Sequence, residues 1–262
     1  MGSICRLGLA TRGNTALDAE DVLDAIRRGI NYLNWCGHPD GMAEAIRCLG
    51  TRRSEVRVAV QFSARTASEA QRELDQTLRA LNTDYLDVAT YYYVEHADEW
   101  DEIVASGGAA EVLERARSQG IVRAIGLTSH QRRLAAQCAE SGRLDLLMIR
   151  YNAAHRGAEQ DVFPVTRRLG LPVVAFTCLR WRALLQPTPD DPAGFIIPPA
   201  ADWYRFVLQV PDVSVALMAP NGREELVENL DVLDDWRALS AQRRRVLAEH
   251  GDRVRCHARP FH

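Results

Sequence analysis

Short apolar runs alternate with longer amphipathic stretches from one end of the chain to the other. The longer stretches repeat apolar residues at helical spacing, as Leu74, Leu78 and Leu81 do within 68–81. Strands and helices that alternate in this way form right-handed βαβ units around a parallel sheet. The short runs predict eight strands, at Arg6–Ala10, Ile30–Trp35, Val56–Phe62, Tyr85–Tyr93, Ile121–Leu127, Leu144–Tyr151, Pro172–Thr177 and Val213–Met218.

Eight βα units predict an α/β fold that closes on itself. The length of 262 residues suits a single (β/α)8 TIM barrel. No G-x-G-x-x-G turn follows the first predicted strand, which disfavours an open dinucleotide-binding sheet. Because no linker divides the chain, we expect one domain over 1–262. Within it we expect a loop at 185–200, which holds five of the eleven prolines, and a polar tail at 251–262.

The composition disfavours several classes of protein. A hydrophobic content of 47% allows a large core, and a formal net charge of -3 disfavours a nucleic-acid partner. No apolar run reaches the ~18 residues of a membrane span. The six cysteines form no C-x-x-C pair, which favours reduced thiols in the cytoplasm. We therefore expect a small-molecule substrate, with neither nucleic acid nor membrane as partner, and the oligomeric state stays open.

All 32 basic side chains are arginines, because the sequence contains no lysine. This absence excludes a Schiff-base lysine, a phosphate-loop lysine and any acid that depends on a neighbouring lysine. Arginine cannot replace them as a titrating amine, since the guanidinium stays protonated at working pH.

Motifs at the predicted strand ends resemble those of the aldo-keto reductases, in the order in which that family has them. The resemblance covers nearly the whole chain, and it implies a barrel of the aldo-keto reductase type, NADP(H) as cofactor and carbonyl reduction as the reaction. The matching segments are Asn34-Trp35-Cys36 with Pro39-Asp40, Asn82–Asp87, Ile125–Ser129, Tyr151-Asn152, Ala175–Leu179 and Glu224–Leu230.

The residues that carry catalysis in that family are replaced here. The family uses an aspartate, a tyrosine acid, a lysine that lowers the pKa of that tyrosine, and a histidine. Without this set the usual carbonyl reduction is impaired, so we expect a divergent member with another proton donor, either Tyr92 or His38. The four corresponding positions hold Asn34, Pro39 or Asp40, Gln61 and Tyr92.

The cofactor-binding positions are better matched. The resemblance places Phe176 against the nicotinamide ring and the hydroxyls of Thr128 and Ser129 at its carboxamide. It places Arg223 and Asn229 at the 2′-phosphate and adenine of the dinucleotide. Two further positions in matched motifs, Asn152 and Thr177, complete the predicted cofactor contacts. NADP(H) is therefore the expected cofactor, although loss of the catalytic set leaves its retention open.

Two further groups of side chains lie at strand ends. Sulfur and imidazole ligands occur there, but they share no metal motif beyond C-x-H, so no metal is expected. Four arginines lie near the same rim, and they indicate an anionic substrate if they point inward. The ligand types are Cys36, His38, His130, His155 and Cys178, and the arginines are Arg150, Arg156, Arg180 and Arg182.

Three functions fit the sequence. The first is an NADP(H)-linked oxidoreductase that acts on a small carbonyl or hydroxyl compound with a non-standard proton donor. The second is a non-redox lyase, isomerase or cyclase that reuses the barrel pocket. The third is a binding or regulatory barrel without turnover. The retained stacking and carboxamide positions favour the first.

Overall fold

Eight parallel strands close into a barrel in chain order, and the last strand pairs with the first. The computed structural model describes residues 3–11 and 17–257. The predicted (β/α)8 barrel is thereby confirmed. The strands are β1 (Leu7–Ala10), β2 (Tyr32–Trp35), β3 (Arg57–Phe62), β4 (Leu86–Tyr91), β5 (Val122–Ser129), β6 (Leu146–Arg150), β7 (Val173–Phe176) and β8 (Val213–Met218).

Helices surround the barrel and cover its outer face. They are α1 (Ala19–Arg27), α2 (Gly41–Leu49), α3 (Ala67–Leu81), α4 (Ala97–Val104), α5 (Ala109–Ser118), α6 (Arg132–Ala139), α7 (Ala158–Asp161), α8 (Phe163–Leu169), α9 (Ala200–Leu208), α10 (Arg223–Asp234) and α11 (Ala241–His257). In the part of the chain that the structure describes, no helix is both long enough and apolar enough to cross a bilayer.

Local sequence sets the start of several helices. Asp18 accepts the backbone N–H of Asp21 at the start of α1. Thr66 and Glu69 form a reciprocal capping box at the start of α3. Each cap satisfies backbone N–H groups that have no partner inside the helix, typically worth about 1 kcal/mol.

The apolar core has two parts, because successive strand residues face opposite sides of the sheet. One set packs under the helices, and the other fills the barrel. Gly126 belongs to the inner face, where an added Cβ would lie 2.8 Å from Leu146 Cγ and 3.0 Å from Thr90 Cγ2. The inner cluster comprises Tyr32, Ala59, Val88, Leu146, Met148, Val174, Phe176, Val215 and Leu217.

The end of the barrel where the strands begin is held by a buried carboxylate. Asp87 is 3% exposed and lies 3.0 Å from Arg53 Nη1 and 2.9 Å from Arg123 Nη1. It also accepts the backbone N–H of Val58 at 3.0 Å. In barrels of this type this end serves stability, while the site forms at the opposite end.

The structure corrects two predicted boundaries. The polar tail expected at 251–262 is helical as far as His257, and Gly251 of this helix packs directly against the backbone of Ala153; 258–262 lie outside the described residues. The helices α7 and α8 meet at Val162. The strand expected to run to Tyr93 ends two residues earlier. The proline-rich segment contains no helix or strand between residues 186 and 199.

Candidate functional site

The carboxyl ends of the strands form the barrel mouth, where inner-face side chains converge. Leu146 and Met148 of β6 belong to the inner cluster, so Arg150, two residues further, is on the same face. Phe176 of β7 belongs to that cluster and pairs in register with Arg150. Along β5, the same alternation places Thr128 on the inner face above Gly126. The mouth therefore combines a hydroxyl, an aromatic ring and a guanidinium.

Two of the four predicted catalytic residues lie together on neighbouring strands. Asn34 Nδ2 is 3.8 Å from the sulfur of Cys36, and that sulfur is 4.0 Å from Gln61 Oε1. Gln61 Nε2 lies 3.6 Å from the sulfur of Met148 in the barrel interior. The buried Oδ1 of Asn34 has no hydrogen-bond partner among the described residues. This is a polar edge of the mouth that can orient a ligand but carries no acid.

The tyrosines that follow β4 do not alternate between the two sides of the sheet. Tyr93 has a left-handed backbone with φ 44°, and its ring stacks on that of Tyr92 with centroids 3.9 Å apart. Tyr93 packs against the inner cluster, and its ring lies 4.5 Å from that of His130. Tyr92, the predicted acid, is therefore one layer of an aromatic stack.

His38 lies on an exposed turn after β2. Its carbonyl accepts the indole N–H of Trp35 at 2.8 Å, which holds the turn. Its imidazole forms no hydrogen bond, ion pair or ring contact within residues 3–11 and 17–257. The structure does not join this second predicted proton donor to Asn34 or Gln61.

An acid–imidazole pair that the sequence did not predict stands at the mouth. Glu95 Oε1 lies 3.3 Å from Nδ1 of His130 and accepts the backbone N–H of His130 at 2.7 Å. Burial raises the pKa of Glu95, but the hydrogen bonds from His130 outweigh it, and the net shift is downward. A carboxylate on Nδ1 fixes the orientation of the ring and its tautomer.

The nicotinamide-binding prediction rests on Phe176 and Thr128. The Phe176 ring is 8% exposed and meets the His130 ring edge-on, with centroids 5.6 Å apart. Thr128 is fully buried, and within the described chain its Oγ1 has no hydrogen-bond partner. A buried hydroxyl without a partner is costly. Thr128 is therefore suited to a ligand amide that would satisfy it.

The other predicted cofactor contacts near β5–β7 hold the loops in place. Asn152 donates from Nδ2 to the carbonyl of Thr177 at 2.8 Å and accepts the N–H of Ala154 at 2.9 Å. The hydroxyl of Ser129 accepts the N–H of Gln131 at 2.9 Å. The Asn152 amide joins the ends of β6 and β7, and the Ser129 hydroxyl holds the start of the turn into α6.

The predicted 2′-phosphate residue is engaged elsewhere. Arg223 Nη1 lies 2.7 Å from Asp21 and Nη2 lies 3.5 Å from Asp24, so that the guanidinium links α10 to α1. Asn229 is 2% exposed on the buried face of α10. The side chains of Arg223 and Asn229 are thus both engaged or buried within the described part of the chain, and their assignment to the dinucleotide stays a prediction.

The four rim arginines divide into two pairs. Arg156 binds both carboxylate oxygens of Asp252, and Arg182 forms an ion pair with Glu225. Of the other two, Arg180 is 7% exposed in the turn after β7, and Arg150 is partly buried at the end of β6. Burial lowers the pKa of Arg150 to about 10, and the charge of Arg180 is the second cause of this shift.

No cluster of three or more His, Cys, Asp or Glu side chains suited to a metal occurs in the described ranges. His155, one of the ligand types considered, lies in a cationic setting instead. Burial, followed by the charges of Arg150 and Arg180, lowers the pKa of His155 to about 3.

Comparison with known proteins gives the family. The model of the aldo/keto reductase family matches residues 6–192. The NADH-specific methylglyoxal reductase of Escherichia coli (strain K12) is 23% identical over 174 residues, which are 65% of this chain and 46% of that protein. The chain thus spans about half the length of that curated relative.

Solved structures share the fold at low identity. The holo form of aldo-keto reductase AKR11C1 from Bacillus halodurans superimposes with a TM-score of 0.75 and 16% identity, covering 94% of this chain and 92% of that chain. An aldo/keto reductase from Klebsiella pneumoniae in complex with NADP and acetate gives a TM-score of 0.75 and 20% identity, covering 95% and 92%. Because the family model matches well over half of the sequence, the chain belongs to the aldo/keto reductase family.

Proposed function

We propose that the protein is a nicotinamide-dependent oxidoreductase that reduces a small carbonyl compound or oxidises the corresponding hydroxyl compound. The observation that carries this proposal is the presence, on the inner face near the ends of β5 and β7, of an unsatisfied buried hydroxyl and of an aromatic ring. Thr128 offers hydrogen bonding and Phe176 offers stacking, which are the two contacts that a nicotinamide carboxamide and its ring require.

Similar proteins support a dinucleotide but leave its type open. The Klebsiella pneumoniae structure holds NADP, and the Escherichia coli relative is named as NADH-specific. NADP(H) remains our proposed cofactor from the family resemblance. Arg223 forms ion pairs with Asp21 and Asp24 of α1. We therefore expect the 2′-phosphate to contribute little to binding unless these ion pairs break. We therefore propose that the protein accepts both NADPH and NADH.

The residues of the mouth have distinct tasks in this scheme. Reduced nicotinamide supplies a hydride when bound. Thr128 and Phe176 orient it, and His130 delivers a proton to the substrate oxygen while Glu95 holds the ring. Asn34 and Gln61 form the polar edge that faces the substrate, and Tyr92 closes the aromatic side of the pocket. In the oxidative direction the same imidazole accepts the proton.

A non-redox lyase, isomerase or cyclase is the second candidate. Its support is the replacement of the family's aspartate and lysine by Asn34 and Gln61, which leaves amides where the family has titrating groups.

All six cysteines are free thiols, which supports our proposal of a cytoplasmic protein that acts on a soluble small molecule.

The test is oxidation of NADPH and NADH in the presence of methylglyoxal and a panel of other small aldehydes and ketones. We expect turnover in the wild type, a loss of at least tenfold in kcat in His130→Gln, and a smaller loss in Tyr92→Phe. His38→Gln is the matched control and retains full activity, since its ring lies on the exposed turn. Wild-type turnover of these compounds without any nicotinamide would instead support the non-redox candidate.

A further inference from the structure

The turn at 92–96, between β4 and α4, carries both groups that contact the His130 imidazole from this side of the mouth. Tyr93 within it has a left-handed backbone, with φ 44°, which is unfavourable for a residue that bears a side chain. Glu95, two residues later, binds the imidazole and the backbone N–H of His130. A turn with an unfavourable residue at its centre keeps one conformation only when surrounding contacts hold it.

One guanidinium from another loop binds the first half of turn 92–96. Arg65 lies between β3 and α3, and its Nη2 donates to the carbonyl of Tyr92 at 2.9 Å and to that of Tyr93 at 3.2 Å. These carbonyls belong to the two peptide groups that flank the Cα of Tyr93, so the contacts act directly on its φ and ψ. The Arg65 side chain is 17% exposed, which shields these hydrogen bonds from water.

One carboxylate binds the second half of the same turn. Glu99, in the first turn of α4, accepts the backbone N–H of Glu95 at 2.7 Å and that of His96 at 2.9 Å, both on Oε2. Burial raises the pKa of Glu99, but the hydrogen bonds from Arg65 and from these backbone N–H groups outweigh it, and the net shift is downward. Glu99 is therefore ionised at neutral pH, and it fixes the backbone from which the Glu95 side chain extends.

The guanidinium and the carboxylate also bind each other. Arg65 Nη2 lies 2.9 Å from Oε1 of Glu99, so the carboxylate uses one oxygen for the guanidinium and the other for the turn. A single connected network thus holds both halves of turn 92–96, although its two charged members are 34 residues apart in the sequence. Members of such a network depend on one another, so the loss of either one weakens the whole.

We propose that Arg65 and Glu99 are positioning residues for the His130 imidazole. By holding turn 92–96 they set the place of the Glu95 carboxylate and of the Tyr93 ring. Oε1 of Glu95 lies 3.3 Å from Nδ1 of the imidazole, and the Tyr93 and His130 rings have centroids 4.5 Å apart. The effect of this pair on catalysis rests on the proposed function, while its effect on the imidazole itself does not.

NMR of the imidazole nitrogens in isotopically labelled protein, without cofactor or substrate, reports the tautomer of His130. His130→Gln identifies the signals, which are recorded above the midpoint of the ring's titration. We expect the wild type to hold its proton on Nδ1, next to Glu95. Arg65→Gln and Glu99→Gln each lower the ratio of the Nδ1–H to the Nε2–H tautomer at least about threefold. The variant that carries both substitutions loses no more than the larger single loss, since the two residues act as one unit.

Glu69→Gln is the matched control. Glu69 has in α3 the place that Glu99 has in α4, and it accepts the backbone N–H of Thr66 at 3.2 Å. We expect this control to lower the thermal stability as Glu99→Gln does and to leave the tautomer ratio of His130 unchanged. Should Arg65→Gln not fold, Glu99→Gln decides alone, because the oxygen of its amide still caps α4.

The turnover assay gives the second measurement. Arg65→Gln and Glu99→Gln lower kcat at least about fivefold and leave the KM for NADPH within about twofold. The proposal is overturned if both variants keep the wild-type tautomer ratio, or if Glu69→Gln changes that ratio as much as they do. An inactive wild type in which both variants still change the ratio would contradict the proposed function and support the positioning role.

Discussion

Glu95 binds His130 at two points, 3.3 Å from Nδ1 of the ring and 2.7 Å from the backbone nitrogen. Both partners come from loops, Glu95 from the turn after β4 and His130 from the turn after β5. The double contact fixes the orientation of the imidazole at the barrel mouth.

Glu95→Gln removes the charge that holds the imidazole. We expect kcat to fall at least tenfold while the affinity for NADPH stays within twofold. The net pKa of Glu95 is lowered in the folded state, so its contribution of about 1 kcal/mol is present above pH ~4.3 and is lost as the pH falls further. Urea unfolding at pH 7 and pH 3 measures this, with the exposed Glu111→Gln as control. An equal kcat in Glu95→Gln and wild type contradicts the assignment.

Thr128→Val separates binding from stability. The Thr128 hydroxyl is buried without a partner among the described residues, so its replacement by a methyl group leaves stability unchanged or slightly higher. The affinity for reduced nicotinamide falls at least fivefold, because the carboxamide loses a hydrogen bond. The control is Thr90→Val, because the Thr90 hydroxyl donates a hydrogen bond to the Val60 carbonyl. We expect this variant to lose about 1 kcal/mol of stability and to bind the cofactor as the wild type does. The reverse pattern would refute the role of Thr128.

Asp191 fastens the proline-rich loop to α11. It lies 3.0 Å from Nδ1 of the fully buried His250 and 2.7 Å from Nε of Arg253. We expect Asp191→Asn to lower the free energy of unfolding by about 2 kcal/mol. Asp190→Asn, whose carboxylate is 64% exposed, costs less than about 0.5 kcal/mol.

The same carboxylate predicts an acid-dependent loss of stability. Burial raises the pKa of Asp191, but the hydrogen bonds from Thr188, Arg253 and His250 outweigh it, and the net shift is downward. Its contribution is therefore present above the unfolded pKa of about 3.9 and is lost as the pH falls below it. Unfolding free energies of wild type and Asp191→Asn should converge below pH ~3 and differ most near neutrality.

Asp87→Asn tests the opposite end of the barrel. Removing the charge leaves Arg53 buried against Tyr85 without its carboxylate, so we expect a loss of about 3 kcal/mol. Cofactor and substrate affinities at the mouth stay unchanged in the folded fraction. Asp84→Asn, on the exposed surface before β4, is the control. A selective loss of ligand binding without loss of stability would show that the two ends are coupled.

Strand-end residues were predictable because buried apolar runs have a clear end in the sequence. Asn34, Gln61, Thr128 and Phe176 all stand at the carboxyl ends of strands, as the periodicity indicates. Their hydrogen bonds were not predictable. The Asn152 amide donates a hydrogen bond to the carbonyl of Thr177, a contact between two loops that strand periodicity does not describe.

Loop geometry limited the rest of the prediction. The left-handed backbone of Tyr93 interrupts the strand predicted to run to that residue, and nothing in a run of three tyrosines indicates it. Glu95 and His130 are 35 residues apart, and only the closure of the barrel brings them together. The position of Glu95 shortly after a predicted strand was the one available signal.

Equilibrium titration of the purified protein with NADH and NADPH, followed by nicotinamide fluorescence, tests the central claim most directly. We predict a saturable rise in emission for both dinucleotides below about 1 mM, and a weaker curve for Thr128→Val. Absence of saturable binding for either dinucleotide up to that concentration contradicts the account.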